Sequence, residues 1–186
     1  MNQRPSEEEY AGSSGEYIRL VPDGNIIDIL LAQEKRMTEL LASLTESQAA
    51  YRYAEGKWTL KEVVGHIADA ERVMTYRLLR FARGDRTPLA GFDQELFIPP
   101  FGSWTTAQLA EDYRAVRQST ITLLRGLPAE AWPRKGTANN LSITARALAY
   151  GIAGHEIHHM GVIRNRYLSY SPAEAIGMEL TPHIQS

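Results

Sequence analysis

Two histidines one helical turn apart, His155 and His159, carry the clearest chemical content of this 186-residue chain. They stand in Gly154-His155-Glu156-Ile157-His158-His159-Met160-Gly161, within a pattern from Ser142 to Leu168 that reads as one long helix. On a helical projection Leu148, Ile152, His155, His159 and Val162 share one apolar stripe. Two imidazoles at i and i+4 on one face can grip a single divalent ion. An unpaired polar group on such a stripe costs about 1–3 kcal/mol, and a shared metal ion would supply the missing partner.

Three histidines with one coordination position left open make a catalytic-type metal site, whereas a closed structural site has four protein ligands. The candidate third ligand is His66, on an earlier predicted helix. It lies about as far from the start of its helix as His159 lies from the end of its own. An antiparallel pair would therefore bring them level. His158 is the rival ligand, on an edge shared with Gly151, Gly154, Gly161 and Asn165. Those small residues either admit a neighbouring backbone or leave space beside the metal. Of the two, the open space is taken as the wall where a small molecule enters. His183, near the C-terminus, reads as solvated.

Glu156 offers an acid–base group next to His155, or it is a solvated helix residue. The stretch His155–His159 also spells H-E-x-x-H, in which the glutamate would activate a water for peptide hydrolysis. That reading needs a third ligand, and Glu179 stands in a Gly/Pro-flanked tail with no second helix to present it. It also needs a strand-rich part to receive a peptide, and no strand alternation is visible.

The elements that must hold these groups are helices. Residues 1–21 read as an N-terminal arm, with Tyr17-Ile18-Arg19-Leu20-Val21 as an extended strip, and residues 171–186 as a tail. Between them residues 22–170 form one domain. Asn25 can cap a helix over Ile26–Leu44, and Thr59-Leu60-Lys61-Glu62 is a capping box for a second helix that Gly84 stops. The stretch Asp85–Trp104, rich in Pro, Gly and aromatic residues, is long enough for a crossover along a bundle. A third helix spans Thr106–Arg125, and a loop through Arg134–Asn140 leads to the fourth. The expected fold class is all-α, a four-helix bundle.

Composition narrows the function. Net charge is −2, so no basic field argues for nucleic acid. The absence of cysteine excludes disulfides, Cys-ligated zinc and a cysteine nucleophile, and agrees with a reducing, cytoplasmic setting. The polar, acidic N-terminus has no apolar signal-peptide core, and no apolar run is long enough to span a membrane.

Lys57-Trp58-Thr59, then Gly65-His66-Ile67-Ala68-Asp69-Ala70-Glu71, then Gly154-His155-Glu156-x-x-His159-x-Gly161 together resemble the DinB/YfiT-like superfamily over Asn25–Leu168. The resemblance implies up-down-down-up helix order, a metal held by His66, His155 and His159, and a homodimer. It implies either transfer of a low-molecular-weight thiol such as bacillithiol or mycothiol, or metal-dependent hydrolysis. With no cysteine in the chain, a sulfur nucleophile must come from outside. The expectation is thus a metal-dependent enzyme, S-transferase-like, acting on a small-molecule substrate. The alternatives are a hydrolase and a non-catalytic binding bundle. Three imidazoles suit Zn, Ni, Fe or Cu.

Overall fold

Capping chemistry sets where the helices begin. The computed structural model describes residues 3–169. Helix α1 (Ser14–Leu20) comes first, then α2 (Ile26–Ser43), whose Asn25 cap accepts a hydrogen bond from the Ile27 N–H at 3.0 Å. A single turn, α3 (Glu46–Ala49), follows. Helix α4 (Leu60–Ala82) opens on the expected box: the Glu62 N–H donates to Thr59 Oγ1 at 3.2 Å and the Thr59 N–H to Glu62 Oε2 at 2.6 Å. Gly84 at φ +84° takes the left-handed conformation just past the helix end. Helix α5 (Thr106–Arg125) starts on a second box made by Thr105 and Gln108. Helix α6 (Ala145–Val162) ends in a π-helical turn, Ile163–Leu168.

Cross-helix pairs give the topology. Glu71, Arg72 and Thr75 of α4 meet Arg117, Asp112 and Thr120 of α5, so the two run parallel. The crossover between them makes this possible, and its Phe101 ring lies over Gly65, where a Cβ would come within 2.2 Å of it. His66 meets His155, while Met74 lies near Gly151, so α6 runs antiparallel to α4. Helix α2 packs on α5 and α6, and the four long helices form the expected up-down-down-up bundle.

Three local readings are corrected. Tyr17–Leu20 is not an extended strip but the second half of α1, which packs along α6. The residues before α6 form a hairpin, β1 (Lys135–Ala138) paired antiparallel with β2 (Leu141–Thr144). Asn139 and Asn140 both take positive φ, 50° and 61°, as a two-residue hairpin turn requires. Helix α6 therefore starts at Ala145, capped by Thr144, not at Ser142. Finally, α3 lies inside the expected connection after α2, behind a Thr45–Gln48 box of the same type as the others.

Glu179 and His183 lie outside the described residues. No helix among the described residues is long and apolar enough to cross a membrane.

Candidate metal centre

Helix α6 is the axis of the site, and its first twelve residues are covered on every side. Every residue from Ala145 to Glu156 is buried, the pattern of a helix packed all round rather than along one stripe. Small residues in Ala147-Leu148-Ala149-Tyr150-Gly151-Ile152-Ala153-Gly154 let neighbours approach closely. At Gly154 the approach is extreme: a Cβ there would lie 2.0 Å from the Tyr17 carbonyl oxygen of α1. At Gly154 the edge is thus a backbone docking point and the expected entrance wall is corrected to a closed one, whereas Gly151 faces the Met74 side chain and Gly161 has nothing within 4 Å.

His66 and His155 are buried and His159 is half-buried. His155 Nε2 stands 3.1 Å from His66 Nε2 and 3.1 Å from His159 Nε2. One ligand nitrogen from each ring lies within 4.8 Å of the other two. A tetrahedral ion with metal–nitrogen bonds near 2.0–2.1 Å would separate its ligand nitrogens by about 3.3–3.4 Å, so these rings need shift only slightly to hold one.

Charge state agrees with that geometry. Burial pushes the His66 pKa down to about 4. Burial, aided by the neighbouring histidines, pushes His155 to about 2 and His159 to about 3. Each imidazole is therefore neutral near pH 7, the form that ligates metals. The hydrogen bonding also fits. His155 Nε2 faces two other Nε2 atoms but can offer only one proton or one lone pair, so the three rings cannot satisfy one another.

The surrounding side chains fix the rings. Tyr17 sets its ring edge-on to His155 and His158, at centroid distances of 5.4 and 5.5 Å. Trp58 lies 5.0 Å from the His66 ring. His158 is exposed and packs edge-on against His159, outside the convergent group. Asp69 pairs with Arg72 at 3.0 Å.

The open side lies at His159. A cavity of about 280 Å³ reaches that ring and is walled by Tyr53, Trp58 and Tyr167, with Lys57 and Glu95 also lining it. Trp58 Nε1–H donates to Glu95 Oε2 at 3.2 Å, and the Tyr167 hydroxyl donates to the Trp58 carbonyl at 2.7 Å.

Glu156 is neither solvated nor among the convergent nitrogens. It is 1% exposed and joins a second cluster with Arg117, Glu71 and Tyr113. Arg117 Nη2 donates to Glu156 Oε2 at 2.5 Å and to Glu71 Oε2 at 2.8 Å, and the Tyr113 hydroxyl donates to Glu156 at 2.8 Å. Burial pushes the Glu156 pKa up. Burial alone would lower that of Arg117, but the two carboxylates outweigh it and raise it. Gln33 and the Leu30 carbonyl complete the cluster from α2.

Sequence reading missed the places of Tyr17, Arg117, Tyr53 and Tyr167, while Trp58 entered it only as part of the Lys57-Trp58-Thr59 motif. For Arg117 a signal existed: it lies within the apolar pattern of α5 between Val116 and Ile121. For Tyr17 and Tyr53 none did, since each reaches the site from a segment without periodicity.

The sequence profile of the DinB superfamily matches residues 29–163, and the chain belongs to that superfamily. A protein of Oceanobacillus iheyensis, provisionally named a metal-dependent hydrolase, is 27% identical over 132 residues, covering 69% of this chain and 76% of its own. In fold, the chain is similar to YfiT from Bacillus subtilis, described as a probable metal-dependent hydrolase with an unusual four-helix bundle topology. The TM-score is 0.66 at 20% identity, over 91% of this chain and 95% of that one. It is also similar to a mycothiol-dependent maleylpyruvate isomerase, with TM-score 0.63 at 14% identity, over 77% of this chain and 61% of that one.

Proposed function

We propose that His66, His155 and His159 hold one divalent transition metal ion and that the protein is a metal-dependent enzyme acting on a small molecule admitted past Trp58. The observation that carries this is the convergence of three neutral imidazole nitrogens beside a cavity that reaches only one of them, His159. When bound, such an ion acts as a Lewis acid that lowers the pKa of a thiol or water taken at its open position. The protein's own groups do the rest. Tyr17 and Trp58 hold the rings in place and keep water from their backs. Neutral ligands leave the ion its full charge, which favours an anionic partner.

An external thiol is the first choice of nucleophile, because the chain has no cysteine and its fold is shared with a mycothiol-dependent enzyme. Water is the second, favoured by the names of the Oceanobacillus and YfiT relatives. In this reading Glu156 is a support for α6 rather than a base, since its carboxylate is engaged by Arg117 and Tyr113.

The test is elemental analysis of protein purified without a metal-affinity tag, followed by thiol titration of the cobalt-substituted form. One equivalent of metal is expected, and a sulfur-to-metal charge-transfer band on adding bacillithiol or mycothiol. Metal without that band would move the assignment to hydrolysis, and full metal occupancy in both His66→Ala and His155→Ala would remove it. The homodimer belongs to the same proposal. Phe92, Leu96 and Phe97 on the crossover are exposed apolar groups that a second copy would cover. Sedimentation showing only a 20.8 kDa species would remove that part.

A further inference from the structure

The cavity beside His159 has a composition that the metal site does not explain. Three aromatic rings wall it, and Tyr53 and Tyr167 stand perpendicular, at 87° and 5.1 Å between centroids. The carboxylate in its lining is Glu95, an exposed residue delivered by the α4–α5 crossover. One Glu95 oxygen is held by the Trp58 indole N–H, which fixes the carboxylate at the mouth and leaves further acceptor positions free. Aromatic faces attract cations within about 6 Å of the ring centroid, and a nearby carboxylate strengthens that preference by Coulombic attraction, whether or not the ammonium carries an N–H. The Arg166 guanidinium already stands 6.0 Å from the Tyr53 centroid, a cation that the box must accommodate together with any ligand.

We propose that Tyr53, Trp58, Tyr167 and Glu95 form a recognition box for an ammonium group, so that the small molecule presented to the histidines carries a cationic amine. This rests on the reading of the cavity as the entrance to the metal site, and it adds the substrate's charge. Lys57 also lines the cavity and opposes a bare cation. It has no ion-pair partner among the described residues, and an ammonium compound that also bears an anionic group would satisfy it. At about 280 Å³ the cavity suits a molecule at the small end of the usual ligand range.

The inference separates from the metal reading if the probe needs no metal. Choline and its uncharged isostere 3,3-dimethylbutanol differ only by the charged nitrogen. Their binding can be followed by NMR at the Trp58 indole N–H signal, assigned through Trp58→Phe, in chelator-treated protein. Choline is expected to bind at least about tenfold more tightly than the isostere. Glu95→Gln, at an exposed position that should leave folding intact, is expected to cut that preference to about threefold or less. Equal affinity for the two probes, or no movement of the signal with either, would overturn the proposal. A second arm uses cobalt-loaded protein with cysteamine, 2-mercaptoethanol and 3-mercaptopropionate. Cysteamine should give half-saturation of the thiolate band at the lowest concentration. Preference for the anionic thiol would overturn the ammonium box while leaving the metal assignment standing. Absence of any band would instead count against the thiol reading and leave the choline result to decide this one.

Discussion

Adjacent residues of α6, His155 and Glu156, enter two buried polar clusters of opposite character. Around Glu156, donors meet acceptors: Arg117 supplies N–H groups to Glu71, Glu156 and the Leu30 carbonyl, and Tyr113 supplies its hydroxyl. Around His155, like meets like, and three ring nitrogens point at one another. The first cluster is completed by the protein itself and joins α2, α4, α5 and α6. The second is left incomplete by the protein, and that mismatch is the observation behind the proposed metal site. Burial alone does not distinguish structure from function here. The matching of donors to acceptors does.

Removing the charge at the centre of the first cluster should have the largest effect. Arg117→Met leaves Glu71 and Glu156 buried without their cation and is expected to cost about 3–5 kcal/mol, read by urea denaturation of the metal-free protein. If stability changed by less than about 1 kcal/mol, the cluster would not be the brace that the comparison makes it.

The histidine cluster should respond through the metal it holds rather than through the metal-free fold. His155→Ala is expected to abolish metal retention and the stabilisation that metal confers, about 2.7 kcal/mol when free ion stands at a hundredfold its dissociation constant. The metal-free form should unfold within about 1 kcal/mol of wild type, because the ring removed was imperfectly satisfied. A large loss in the metal-free form would make His155 a structural residue like Arg117.

Gly154→Ala probes the backbone contact between the two clusters and α1. The new Cβ would fall 2.0 Å from the Tyr17 carbonyl, so α1 must move, at a cost of about 1–3 kcal/mol. The Tyr17 contact to His155 should loosen with it, raising the metal dissociation rate measured by chelator competition. An unchanged rate would show that α1 does not help to hold the rings.

The smallest effect belongs to Glu46, an exposed carboxylate paired with the buried Lys61. Glu46 accepts hydrogen bonds from Lys61 Nζ at 2.6 Å and the Thr106 N–H at 2.8 Å, first Lys61 and then Thr106 holding its pKa down to about 2 from 4.5. A depressed carboxylate pKa means that the unfolded state takes up the proton first. The contribution is thus present above pH 4.5 and lost as pH falls toward 2. Glu46→Gln should flatten that limb of the stability–pH curve, and an unchanged slope would place the acid response elsewhere.

The chain sequence by itself determined the four long helices, since capping boxes and apolar periodicity act within a few residues of one another. It also determined that His155 and His159 project together, because i and i+4 spacing is a local property of a helix. The third member, His66, could be matched by level only if the bundle order was assumed. Tertiary structure decided the rest. Glu156 looked free to face solvent or to act as a base until α5 placed Arg117 and Tyr113 against it. The glycines of α6 looked like open space until the α1 backbone filled the position beside Gly154. The hairpin before α6 stayed hidden because two short strands joined by Asn139 and Asn140 give too few residues for alternation to show. Periodicity reports which way a side chain points, but its partner comes from segments far along the chain, and only packing brings the two together.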